Sequence, residues 1–499
     1  MLLCFGLLRD FLDTNVDATD TIAHVLWDRP VGKKKGKSKR RPQHIEPAPL
    51  IEDSQDFYNR RVYRRIVDIF NRPICSAPGT WIDVMDRAKP HCMALPTHTG
   101  RTVRCLNLGS YNYLGFAAND AYCTPRVSQS LRDFGPSACS PAADCGTTTT
   151  HVSLERRVAS FLGCEAAYVY GMGFATNACT MPLLVSKGCL VVSDEFNHKS
   201  IVDGAKLSGA SVRVFKHNNM AHLEHILHHA IVQGHPRTRR PWRKILVVVE
   251  GVYSMEGELC KLREIVALKQ KYKAYLYLDE AHSIGAMGRT GRGVCEHLGV
   301  DSTDVDVMMG TFTKSFGSCG GYVAGPKALI NHIRRASAGS LYTTTISPPA
   351  AQQILSAMAV ISGADGTQRG QGKLEQLRAN CNYFRQELMR RGFHVLGDED
   401  SPVVPVMCYH SGKIPACSRL ALERGLAVVM VGFPATGLFL SRMRICLSAA
   451  HTIEDLKYAV RALDDVGSRC RMKYMSPQKK KHAKVGRGGG AEPEGTRLA

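Results

Sequence analysis

The chain has 499 residues, 44% of them apolar and 22% charged, with eighteen cysteines and a formal net charge of +21. That composition excludes a wholly disordered or fibrous chain, and the length excludes one small domain. The cysteines stand singly, as at Cys164, Cys179, Cys189, Cys260 and Cys446, with no CxxC pair, which excludes a disulfide framework or zinc-type spacing and fits reduced core thiols in a cytosol-facing protein.

Residues 1–55 read as a basic, largely disordered leader. Its opening MLLCFGLL is followed by Arg9 and Asp10, well short of the ~20 apolar residues that cross a bilayer. It lacks the basic start and cleavage site of a signal peptide, leaving an interfacial anchor or the end of a longer hydrophobic segment. KKKGKSKRR (33–41) carries seven positive charges, and from Arg469 onward nine Lys or Arg stand against two Glu. Such tails suit solubilising segments or an anionic membrane surface. No part of the chain interleaves basic and aromatic residues as a nucleic-acid reader would.

The mixed spacing of FYNRRVYRRIVDIF, ended by Asn71-Arg72-Pro73, predicts a helical arm over 56–105. Then the pattern changes. Short apolar runs alternate with amphipathic stretches: AAYVY (166–170), CLVVS (189–193), SVRVF (211–215), ILVVVE (245–250), YLYLDE (275–280), VDVMMG (305–310) and GYVAG (321–325). Continuous apolar strands separated by helices predict an α/β domain over 106–345, its sheet covered on both faces. Ligands of such sheets bind beyond the carboxyl ends of the strands. That is where Gly171, Gly173, Asp194, Glu250, Asp279 and the Lys314 loop fall. VVPVM (403–407), AVVMV (427–431) and RICLS (444–448) predict a smaller α+β domain over 346–470, with a basic disordered tail at 471–499.

GMGFATN (171–177) follows a strand and opens a helix, so its N–H groups can meet a phosphate. It departs from a dinucleotide fingerprint, because Thr176 replaces the third glycine. DEAH (279–282) is also a helicase signature, but no GxxxxGK[ST] loop accompanies it. Asp279 ends an apolar strand, where a buried carboxylate needs a cation. A pyridinium nitrogen is such a cation, and keeping it protonated makes pyridoxal 5'-phosphate (PLP) an electron sink. Thirty-five residues on, GTFTKSFGSCGGY (310–322) sets Lys314 between Phe312 and Phe316 among hydroxyl and glycine residues. Desolvation there lowers a lysine toward the neutral amine that forms a Schiff base. His198 and His282 share this strand edge, whereas His151 reads as structural.

YGMGFATN, DEFNHKS, FKHNN, EGVYSMEG, YLYLDEAHSIGAMGRTGRG, GTFTKSFG and SRMRICLSAAHT together resemble the α-oxoamine synthases, over roughly 56–470. SYNYLGF, PRTRRPW, DVDVMMGTFTKSFG, EDSPVVP and VGFPAT narrow the resemblance to the catalytic long-chain-base subunits within that family. The resemblance implies a fold-type-I PLP transferase with a mainly parallel seven-stranded sheet, joining L-serine to palmitoyl-CoA with loss of CO2 to give 3-ketodihydrosphingosine. A sister synthase using glycine or alanine, or a non-catalytic paralogue, are the alternatives. It implies Lys314 as the Schiff-base lysine and base, Asp279 as the pyridinium partner and His198 as the ring-stacking residue. His282 becomes a hydrogen-bonding partner of the cofactor, and Gly173, Phe174 and Thr311 its phosphate contacts. Arg444 receives the substrate carboxylate, with Tyr111 and Asn112 bordering the substrate. It also implies a heterodimer with a related subunit lacking the lysine, at the cytosolic face of the endoplasmic reticulum membrane. The segment GPSACSPAADCGTTTTH (135–151) departs from the family, which carries a Ser-Thr-Arg run and Gly-Asn-Leu-Asp-Lys-His there. The change bears on substrate positioning or partner choice.

Overall fold

The computed structural model describes residues 62–476. The leader, the first residues of the expected arm and the tail beyond 476 lie outside the described residues. Residues 74–84 and 103–476 form one compact unit, and 62–73 with 85–102 form a second.

The expected helical arm needs correction. Among the described residues of the arm the helical part is short, two π-helical residues at 62–63, then Arg64–Ile66 and a 3-10 turn at Val67–Ile69, after which come strands β1 (Trp81–Ala88) and β2 (Thr97–Asn107). Past Pro73 the alternation has period two: Ile82 and Val84 are buried while Trp81 and Asp83 are half-buried. Thr97, Thr99, Thr102 and Val103 add the β-branched side chains that favour a pleated strand. Ile82, Val84 and Cys105 make a small core of their own.

The apolar runs form strands where the sequence puts them: β3 (Ala166–Tyr170), β4 (Leu190–Asp194), β5 (Ser211–Phe215), β6 (Ile245–Glu250), β7 (Tyr275–Asp279), β8 (Val307–Thr311) and β9 (Gly321–Gly325). They build one seven-stranded sheet in the order β3-β9-β8-β7-β6-β4-β5. β9 runs antiparallel to β3 and β8, and the other pairings are parallel. Strands β4, β8 and β9 are buried at every residue, whereas the edge strand β5 exposes Val212 and Val214. Helices on both faces remove the polar alternation from the central strands, and only the edge retains it. The core beneath includes Val191, Val248, Tyr277, Met309 and Val323.

A second sheet, β10-β13-β12, is antiparallel and uses β10 (Val403–Tyr409), β12 (Val429–Val431) and β13 (Ser441–Cys446). Between them β11 (Leu426–Ala427) pairs in parallel with Leu106 and Asn107 of β2. The Ile453–Arg469 helix begins at a capping box, in which Asp455 N donates to Thr452 Oγ1 and Thr452 N to Asp455 Oδ2. Residues 471–476, read as the start of a disordered tail, instead pack back. Met472 is buried, and Met475 N donates to Gly392 O at 3.0 Å. Among the described residues no helix is long and apolar enough to cross a membrane.

Candidate active site

Four parallel strands end at one edge in polar residues: Asp194, Glu250, Asp279 and Thr311. Asp279 is 3% exposed. Asn177 Nδ2 donates to its Oδ2 at 2.8 Å and Ala281 N to its Oδ1 at 2.9 Å. Tyr277 Oη donates to Asn177 Oδ1 at 2.7 Å and so fixes which way the amide faces. The carboxylate is held by neutral donors, and no ion pair joins it to a cation among the described residues. A buried carboxylate in that condition is a seat for a cation brought from outside.

Lys314 stands three residues beyond the end of β8. Phe312 and Phe316 on either side are fully buried, ring centroids 5.6 Å apart edge to face. Apolar burial therefore anchors the loop while the lysine between them is lifted to the sheet edge. Gly317 has φ +62, and a Cβ on it would meet the Phe116 and Ala117 backbone at 2.5 Å, so only glycine closes this turn. Burial pushes Lys314 down to about 8, against the opposite pull of Asp279 and Glu250. Its Nζ lies 5.4 Å over the Tyr111 ring, and the Arg444 guanidinium lies 4.7 Å from the same ring centre. Arg444 comes from β13, so Tyr111 links the two sheets' cations. Arg444 Nε is buried without a hydrogen-bond partner.

His198 caps the Lys199–Leu207 helix, with Nδ1 2.7 Å from Ser200 Oγ, and its backbone N–H donates to the Glu250 carboxylate. The Phe174 ring meets it edge-on at 6.0 Å. Burial lowers His198, while Asp279 draws it back up. His282 shares a 2.8 Å hydrogen bond with Tyr113 Oη and meets the Tyr111 ring edge-on at 5.2 Å. Burial, then Lys314 and Arg444, push His282 well below the usual histidine range, so it is neutral. Glu250 is pushed well above the carboxylate range by burial and then by Asp279.

The Gly173–Leu184 helix starts at this edge with no side chain capping its first turn, leaving N–H groups for an anion. A Cβ at Gly173 would come 2.8 Å from Thr311 Oγ1, and one at Gly321 would come 2.6 Å from Thr176 Oγ1. Thr311 Oγ1 donates to Gly320 O at 2.9 Å. Phe174 is 43% exposed beside this cradle. The anion end, the unpaired lysine and the unpaired carboxylate fit the phosphate, aldehyde and ring nitrogen of PLP.

Of the expected residues, Lys314, Asp279, His198, His282, Gly173, Phe174, Thr311, Tyr111 and Arg444 belong to this one network of edges and contacts. Asn112 differs: its Nδ2 donates to Pro78 O at 3.0 Å and its Oδ1 accepts from Ala117 N at 3.1 Å. Its amide braces the 112–117 turn rather than facing a substrate. His151 is structural, as read, with Nε2 2.7 Å from Ile346 O and Nδ1 in the helix cap with Thr148. The divergent 135–151 segment is tied to 340–347, by a Pro141–Thr344 bridge, Ala143 N to Ser340 O and Thr345 Oγ1 to Gly146 O. Sequence reasoning missed Asn177 and Tyr113. Only their place inside the motifs GMGFATN and SYNYLGF signals them.

The model of the family described as aminotransferase class I and II matches residues 103–463. The chain belongs to that family. Long chain base biosynthesis protein 2d of Oryza sativa subsp. japonica is 53% identical, over 97% of this chain and 95% of that protein. Serine palmitoyltransferase 2 of Dictyostelium discoideum is 49% identical, over 89% of this chain and 91% of that one. A solved structure of SPT with PLP superposes with a TM-score of 0.71 at 27% identity, covering 82% of this chain and 94% of that one. These relatives fit the α-oxoamine synthases, as the motifs imply.

Proposed function

We propose that this chain is a PLP-dependent acyltransferase that condenses L-serine with palmitoyl-CoA, releasing CoA and CO2 and forming 3-ketodihydrosphingosine. The observation that carries it is one strand edge that holds both Lys314, lowered to about 8, and a buried Asp279 with no ion pair to a cation among the described residues. Relatives named for serine palmitoyl transfer support the substrates. When bound, PLP supplies an electron sink for negative charge at the amino-acid α-carbon.

The chain's residues have these parts. Lys314 would hold the cofactor, and its Nζ, whose lowered pKa suits a base, would take the substrate α-proton. Asp279 keeps a proton on the ring nitrogen, and the first turn at Gly173, with Phe174 and Thr311, receives the phosphate. His198 would stand against the ring, and neutral His282 would share a hydrogen bond with the cofactor. Arg444 takes the substrate carboxylate through its unpartnered side, with Tyr111 as the platform beneath it.

We further propose a heterodimer with a related subunit lacking the lysine, at the cytosolic face of the endoplasmic reticulum membrane, with residues 106–345 and 346–470 as large and small domains. A soluble acyl-CoA and a membrane-bound product support that location. The test is co-purification of the full-length chain with its partner, followed by product analysis with palmitoyl-CoA and serine, glycine or alanine. Product with serine well above the other two is expected. Equal or greater product with glycine or alanine overturns the substrate, and no product with any of them overturns the enzyme reading.

A further inference from the structure

Arg442 and Arg444 lie two apart on β13, so both side chains leave the same face of the strand. Both meet the loop that follows β6, but in different ways. Arg442 is 3% exposed and tied to three acceptors: Nε donates to Leu440 O at 3.1 Å, and Nη1 to Met255 O at 2.7 Å and Glu256 Oε1 at 2.9 Å. Arg444 touches the loop through Nη1 and Met255 Sδ at 3.8 Å. No ion pair joins it to a carboxylate among the described residues, and its buried Nε has no partner.

The loop carries a further acid, Glu258, and that one is occupied too. Its Oε2 is 3.2 Å from His217 Nε2, while His217 Nδ1 is 2.9 Å from Asp194 Oδ1. Although burial pulls His217 down, its bonds to Asp194 and Glu258 outweigh that and raise it to about 9. Glu256 is itself buried at 8% exposure. A buried carboxylate deprived of its cation is strongly unfavourable, and it is relieved by taking up a proton or by drawing in a free cation within reach. Residues i and i+2 of a strand are about 7 Å apart, within the joint reach of a glutamate and an arginine side chain.

We propose that Arg442 is a positioning residue: by engaging Glu256 it keeps that carboxylate off Arg444 and leaves the Arg444 guanidinium open to the substrate carboxylate. This rests on the reading of Arg444 as the carboxylate receptor. The two arginines divide one task, the first neutralising the loop and the second facing the ligand.

The test uses the full-length chain, loaded with PLP and purified with its partner, and titrated with L-serine while the cofactor absorbance is followed. Binding is thereby read apart from turnover. Arg442→Met raises the serine Kd roughly 10-fold or more, the scale of one misplaced charge contact, and Arg442→Gln moves it the same way with a smaller loss of Tm. Glu256→Gln alone shifts Kd by less than about 3-fold, since no carboxylate is left to compete. The decisive variant is Arg442→Met with Glu256→Gln, whose Kd returns to within about 3-fold of the parent. If Arg442→Met does not fold, Arg442→Gln with and without Glu256→Gln makes the same comparison. A double variant as weak as the single, or a single variant with unchanged Kd, overturns the proposal. Arg444→Met separates the two readings: if it leaves serine Kd unchanged, Arg444 is not the receptor and this inference falls with it. If it raises Kd while Arg442 variants do not, only this inference fails.

Discussion

The carboxyl edge of the seven-stranded sheet and the strand β13 of the small sheet both bury charge, and they settle it differently. At the large sheet's edge the acids are many and each is tied to protein donors: Asp194 to His217, Glu250 to the His198 N–H, Asp279 to Asn177 and Ala281. Lys314, by contrast, is left with an aromatic face. On β13 the cations are two, and one has been given the carboxylate while the other has not. The two unpaired cations share the Tyr111 ring. Burial makes an unpaired charge costly, so these two positions mark where the fold reserves charge for a ligand.

Breaking the reserved positions should cost most. Lys314→Ala is expected to lower turnover by at least about 10³-fold, combining loss of cofactor attachment with loss of a general base, and to remove the absorbance band near the visible edge. Asp279→Asn should follow at about 10²-fold, with a weaker grip on the cofactor measured by dialysis. A smaller effect comes from titrating Lys314: because the neutral amine is what attacks an aldehyde, the rate at which the cofactor-free chain takes up PLP should rise with pH and level off above about 8. A plateau already reached at pH 6 would contradict this.

The paired positions should cost stability and leave chemistry alone. His451 has Nδ1 accepting from Ser448 N at 3.1 Å and Nε2 near Asn107 O at 3.1 Å. Burial lowers it to about 4, whereas in the unfolded chain a histidine titrates near ~6.5. Between these values the unfolded state binds the proton and the native state does not. Its contribution is therefore full above pH ~6.5 and is lost as pH falls toward 4, about 3 kcal/mol in all. Melting curves between pH 7 and 4.5 should show that loss, and His451→Gln should flatten it.

The strands and their polar ends were legible because each is a local pattern. An apolar run such as ILVVVE or YLYLDE needs no distant partner to be read, and its last acid lands at the ligand edge by topology. Lys314 was legible for the same reason, being flanked by Phe312 and Phe316. Strands β1 and β2 were not, because charged residues scattered among apolar ones satisfy a helical spacing as easily as a twisted, half-exposed strand. Nor was the pairing of Arg442 with Glu256, which are 186 residues apart, or the use of Asn112 as a brace. Such contacts are made by the chain crossing, and neighbouring residues carry no trace of them.

The most direct measurement is borohydride reduction of the full-length PLP-loaded protein, followed by peptide mapping of the lysine that retains the pyridoxyl group. The label is expected on the peptide carrying Lys314 and on no other, and to vanish in Lys314→Ala. A label on another lysine, or a protein that takes up no PLP, would contradict the assignment from which every other role follows.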